Sequence, residues 1–311
     1  MHVFVDADGR LQWPWRLLAF AFFTVAAAYA ITAIAYPIVA GVSHTIGVRF
    51  IAYPWIMAAS VACGHALSLR FADGTMTWSA IGLGRPALGV RALSASALLG
   101  ALAIAVPCVA LLAIGWLTVS DSSGWIDGAG GVALPEQLNW WSAAGASALM
   151  LVPAALAEEL LMRGYAFAVL RTRFGWQVAL GATSAIFALL HVDNPGASAQ
   201  ALALVTIAGI FLGTVLLVTG SLYAAVAAHF SWNFVMAALL HTTVSGLPVS
   251  APGYRVVNSG PAWATGGPWG PEGGAFAALG MAMALVVLFT RPAGRALLMR
   301  PFGRGENVGH E

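Results

Sequence analysis

Charge is nearly absent from this chain: 8% of its residues are Asp, Glu, Lys or Arg, against about 25% in an ordinary soluble domain. Apolar residues make up 60% of the total and gather into runs, and a helix needs about 20 of them to cross a bilayer core. Eight runs are candidates, at 14–41, 51–69, 92–118, 140–162, 176–191, 199–218, 222–240 and 275–290. The fold expected is therefore all-α: a polytopic membrane helix bundle of about eight transmembrane helices, one membrane domain over 1–311. The composition excludes a disordered chain, a nucleic-acid-binding domain and an ordinary soluble enzyme. The first run is too long for a signal-peptide core and lacks a compact basic start, so it reads as a retained helix. Cys63 and Cys108 lie in apolar runs, form no metal-binding pair by spacing, and read as small core residues.

The basic residues give the bundle an orientation. All fourteen are Arg. If the runs are crossings, Arg10, Arg16, Arg70, Arg85, Arg91, Arg171, Arg173, Arg291, Arg295, Arg300 and Arg304 fall on one side, and Arg49 and Arg255 on the other. Positive charge marks the cytoplasmic face, so both termini are expected to be cytoplasmic. Arginine without lysine, with abundant Gly and Ala, suggests a GC-rich bacterium and hence a multi-pass protein of its inner membrane, with lipids as its constant partners. The Gly/Pro/Trp-rich loop at 242–274 is then extracytoplasmic. It reads first as a flexible connector and second as a lid. Gly209-Ile-Phe-Leu-Gly213 is a GxxxG pattern that allows close helix packing within the bundle.

Ionisable groups inside an apolar helix cost about 2.5–3.5 kcal/mol on insertion scales, so they face a bundle interior or a wet cavity. Here they concentrate within 140–241. Glu159 and Arg163 are four residues apart and pair along one helix face. Glu158 points about 100° away and lacks that partner. Phe187 and His191 share a face near the end of the fifth run, before Asn194 and Pro195 end the helix. His229 and Asn233 lie one turn apart in the seventh. Counting from a turn at 171–175 puts Glu158 and His191 at similar height, so antiparallel packing can bring them together. His65 and His241 read as interfacial.

A carboxylate and an imidazole around one water make a general base, the role that fits Glu158 with His191. A second imidazole and an amide can donate to an oxyanion, as His229 and Asn233 would. Together they could hydrolyse a peptide bond by direct water attack, without a cofactor and without a Ser or Cys nucleophile. A metal-dependent version stays open: Glu158, His191 and His229 are the residue types of a catalytic site for zinc or another divalent metal, although a helical HExxH is missing. A non-catalytic binding role and a proton-coupled carrier using Glu158 are the remaining readings.

Glu158-Glu159-x-x-x-Arg163, Phe187-x-x-x-His191 and His229-x-x-x-Asn233 resemble, in order and spacing, the three motifs of the CPBP family, which holds the type II CAAX prenyl endopeptidases and the bacterial Abi proteins. The resemblance implies a helical membrane bundle with a conical cavity, and intramembrane endopeptidase activity on a peptide or membrane-protein substrate, nucleic acid playing no part. It implies Glu158 and His191 as the water-activating pair, His229 and Asn233 as oxyanion stabilisers, and Glu159 and Arg163 as support behind them. It also implies, as the alternative, a non-catalytic bacteriocin-immunity or scaffold protein.

Overall fold

A computed structural model describes residues 3–5, 11–46, 49–121, 139–249 and 252–299. Arg10, Arg300 and Arg304 of the charge pattern lie outside these residues, as do both chain ends. The described chain is a helical bundle with one small antiparallel strand pair. Its helices are α1 (Trp13–Ile46), α2 (Arg49–Leu67), α3 (Val90–Ala113), α4 (Trp140–Arg163), α5 (Tyr165–Phe174), α6 (Trp176–Leu189), α7 (Ala199–Thr219), α8 (Leu222–Phe234), the single turn α9 (Ala262–Thr265), α10 (Ala275–Thr290) and α11 (Pro292–Leu298). A wider π-helical turn, Val235–Leu239, prolongs α8. Strands β1 (Leu117–Ser120) and β2 (Arg255–Asn258) pair with Leu117 opposite Asn258 and Ser120 opposite Arg255.

Every expected run is a helix, but they are not equal crossings. Among the described residues, six segments are long and apolar enough to span a bilayer, and α10 with α11, bent by 95°, would make a seventh. The fifth run differs. Helix α6 has 14 residues, roughly 21 Å at 1.5 Å per residue, well short of a core about 30 Å thick. It stops because the polar turns of residues 190–198, with Asp193, Asn194 and Pro195, offer no apolar face to continue it. Helices α4 and α5 together run 35 residues, more than a crossing needs.

Local signals explain the junctions. Ser198 and Ser221 accept from the amides of Ala201 and Ala224, both at 3.1 Å, and so cap α7 and α8. Between them, α7 ends on Gly220 at φ +67°, a left-handed position that suits glycine. The break between α4 and α5 falls at Gly164, where a Cβ would run into the His65 imidazole. His65 fills that place: Nδ1–H donates to the Val61 carbonyl at 2.8 Å, and Nε2 accepts the Tyr165 amide at 3.0 Å. It is fully buried, and His241 is nearly so. Both were expected at the interface; each instead satisfies backbone groups inside the protein. Of the two cysteines, Cys108 is a core residue and Cys63 faces outward.

Helix α8 is the centre of the bundle, packed against α3, α4 and α7. Ala224, Ala225 and Ala228 on it are fully buried, and such small residues let helix axes approach. The GxxxG glycines serve α6 in the same way, Gly209 lying against Ser184 and Gly213 against Leu180. Helix α1 is peripheral, with Leu18, Phe22, Tyr29 and Ile34 exposed. In a membrane that face meets lipid.

Candidate active site

Three helices bring the polar residues to one place. Glu159 and Arg163 leave α4 on the same face, with side chains fully buried and Arg163 Nη1 donating to Glu159 Oε1 at 3.3 Å. Arg163 Nη2 also donates to the Gly209 carbonyl on α7 at 3.0 Å. From α8, His229 Nδ1 lies 2.9 Å from the same Glu159 oxygen. A carboxylate only accepts, so Nδ1 carries the hydrogen, and this fixes the ring. Nε2 is thereby turned to Glu158 Oε2, 3.6 Å away. The imidazole thus stands between the two neighbouring carboxylates. Glu159 is sealed from solvent, whereas the Glu158 side chain remains 39% exposed.

Phe187 of α6 is the hub that joins the third motif. Its ring is 4.7 Å from the Arg163 guanidinium carbon, 4.8 Å from the His191 ring centroid and 6.1 Å from that of His229. A cation over an aromatic face is attracted by the ring quadrupole, which gives the apolar ring a reason to sit among charges. His191 lies just beyond the end of α6, in the turn that follows it. Its Nδ1–H donates to the Phe187 carbonyl at 2.8 Å, leaving Nε2 to accept a proton or a hydrogen bond. Glu158 and His191 were expected to share a water; the side chain that directly approaches Glu158 is His229. Asn233 is one turn beyond His229 and partly buried.

The loop at 242–274 does not read as an open connector in its described part. It returns to the bundle through β2, α9 and two 3₁₀ turns, Gly267–Trp269 and Pro271–Gly273. Trp269 is fully buried among Met162, Phe187, Ala188, Ala201 and Val205, with its ring 6.5 Å from that of His191. The loop thus covers the place where α6 stops short. Glu272 accepts from the Trp232 indole N–H at 2.9 Å and from the amide and hydroxyl of Ser245 at 2.5 and 2.9 Å. Sequence reasoning missed both residues. One signal for Glu272 was available: it is the sole carboxylate between Asp193 and Glu306. A cavity of about 310 Å³ opens elsewhere in this loop, lined by His241, Thr242, Arg255 and Asn258 among others, and no motif residue borders it.

A catalytic zinc takes three protein ligands. Among the described residues, no three His, Cys, Asp or Glu side chains are grouped to hold a metal ion. Glu158 and His229 offer two donors within reach of each other. The residues present do not fit a three-ligand metal site.

Residues 139–235 match the family model described as type II CAAX prenyl endopeptidase Rce1-like. No match was found among curated proteins, and none among solved structures. The matched stretch opens on Asn139, whose side chain caps α4 at the Ser142 amide, and closes just past α8. It holds all three motifs and the ring of contacts around Phe187, so this third of the chain is similar to the type II CAAX prenyl endopeptidases.

Proposed function

We propose that the protein is an intramembrane endopeptidase of the bacterial inner membrane, acting on peptides or membrane proteins through a glutamate-activated water. The observation that carries this reading is the placement of His229 between a sealed carboxylate and an accessible one. Glu158 takes a proton from a water held with His191 Nε2, and the resulting hydroxide attacks the peptide carbonyl. His229, protonated on both ring nitrogens and donating through Nε2–H, and the Asn233 carboxamide stabilise the oxyanion that forms. The proton then passes to the amide nitrogen as the C–N bond breaks. Glu159 and Arg163 touch no reacting atom; they hold the imidazole in one orientation, with Nδ1–H on Glu159. No covalent intermediate and no metal enters the scheme.

The test compares new protein N-termini in cells carrying wild type and Glu158→Ala. Termini present with wild type and missing with the variant are the expected result, and they name the substrate. Purified Glu158→Ala or His191→Ala cleaving that substrate at the wild-type rate would refute the proposal.

A further inference from the structure

The described structure contains a bridge between the two halves of the candidate site that runs outside all three motifs. Its first member is Trp232, on α8 between His229 and Asn233, whose indole N–H is held by Glu272 Oε2 at 2.9 Å. Glu272 Oε1 accepts both the amide and the hydroxyl of Ser245. The Ser245 carbonyl, in turn, accepts from Asn194 Nδ2 at 2.9 Å. Asn194 belongs to the turn that carries His191, and its own amide donates to the His191 carbonyl at 3.1 Å. Four hydrogen bonds therefore connect α8 to the His191 turn by way of Glu272.

Two features argue that this bridge is built rather than incidental. Helix α8 with its π turn spans 18 residues, so Trp232 stands roughly 15 Å from its start. Glu272 meets it midway along this apolar helix, where an acidic side chain is expensive and persists when partnered. Ser245 has φ +48°, a region that residues other than glycine rarely adopt. That twist lets its amide and hydroxyl face one carboxylate oxygen while its carbonyl faces Asn194. His191 lies beyond the last turn of α6, tied to it by its amide on the Ala188 carbonyl and its ring on that of Phe187, and the bridge adds a tie to α8.

We propose that Glu272 is a positioning residue, fixing the His191 turn against α8 so that His191 and Asn233 keep their separation. The proposal rests on the hydrolytic reading of the site for its consequence in rate, but not for the coupling itself. It is tested in full-length protein in nanodiscs, comparing wild type, Glu272→Gln, Glu272→Ala, Asn194→Ala and the double variant Glu272→Ala/Asn194→Ala. Hydrogen exchange at the amides of 191–197 reads the coupling directly. Exchange there is expected to accelerate at least tenfold in both Glu272 variants, with the amides of α8 unchanged. Unchanged exchange at 191–197 overturns the proposal whatever the protein catalyses.

The second measurement is turnover of the cellular substrate identified above, with Glu158→Gln as the control on the reading itself. A fall in kcat of tenfold or more with KM within twofold is expected for either Glu272 variant. The double variant should be no worse than the poorer single one, since both cut the same bridge. If Glu158→Gln is inactive while Glu272→Ala keeps its kcat per folded molecule, Glu272 is merely structural and the positioning role fails. If Glu158→Gln cleaves like wild type, the hydrolytic reading fails, and the exchange measurement still decides whether Glu272 orders the turn.

Discussion

Gly209 lies where α7 meets both the Arg163 guanidinium and the helix that leads to His191, so Gly209→Ala is an incisive perturbation of the site from outside it. A Cβ at that position would lie 2.8 Å from Ser184 Cβ and 2.9 Å from Ser184 Cα on α6. Carbon atoms rest at about 3.5–4.0 Å, so the helices must part by roughly 0.8 Å. Backbone and Cβ are involved, and no rotamer change relieves the clash. Overpacking of this kind costs about 1–3 kcal/mol, partly offset by the gain of about 1 kcal/mol from replacing glycine within a helix. The net stability change is then about 0–2 kcal/mol. The catalytic effect is larger, because α6 carries Phe187 and aims His191. Misplacement by about 1 Å can cost 10²-fold, so kcat is expected to fall roughly 10- to 100-fold. The control is Gly181→Ala on the same helix as Ser184, where a Cβ meets nothing within 4 Å. Thermal unfolding and single-turnover cleavage of both variants, in the same nanodiscs, make the comparison. Gly209→Ala matching Gly181→Ala in both measurements would refute the packing argument.

Other expectations follow from the same structure. Arg163→Met leaves the Glu159 carboxylate buried with His229 alone; removing one partner of a buried pair costs about 3–5 kcal/mol, and adding Glu159→Gln should recover part of the loss in a double-mutant cycle of unfolding midpoints. His241 lies beyond the apolar part of α8, and burial holds its pKa below the ordinary histidine value, against the opposing pull of backbone carbonyls such as that of Tyr254. The unfolded chain, titrating near about pH 6.5, then takes up the proton first. Stability from this group is full above that pH, declines as the pH falls below it, and levels off below the folded-state pKa. His241→Asn suits the φ of +47° and should flatten that part of the acid slope relative to wild type in thermal unfolding. Cleavage should survive chelator washing to less than stoichiometric metal by elemental analysis; activity lost on chelation and regained with zinc would contradict the water-activating role given to Glu158.

The legible parts of this molecule were those set by spacing within one helix. Glu159 and Arg163 pair as their separation requires, and His229 and Asn233 occupy successive turns of α8. The bundle itself was legible because apolar runs leave the chain no other way to satisfy its backbone in lipid. What escaped were contacts set by distance between helices and by the loop. Spacing placed Glu158 and His191 at one height, but it could not show that α8 brings His229 to Glu158. Histidines 65 and 241 looked interfacial because each ends an apolar run, yet each serves backbone groups that tertiary packing alone brings within reach. Glu272 and Trp269 belong to a loop whose composition reads as a connector, and their partners on the bundle helices are 40 and more residues away.

The seating of Trp269 and Glu272 bears on how the protein can be cut. The stretch that matches the family ends at residue 235, and a fragment trimmed there would keep every motif residue. It would also leave the Trp232 indole without an acceptor and strip the indole plug away from Phe187. The matched stretch and the set of contacts around its site therefore have different borders in this molecule. A piece that keeps these contacts extends at least through residue 274, and α10, which begins immediately after, closes the bundle against α3 and α7.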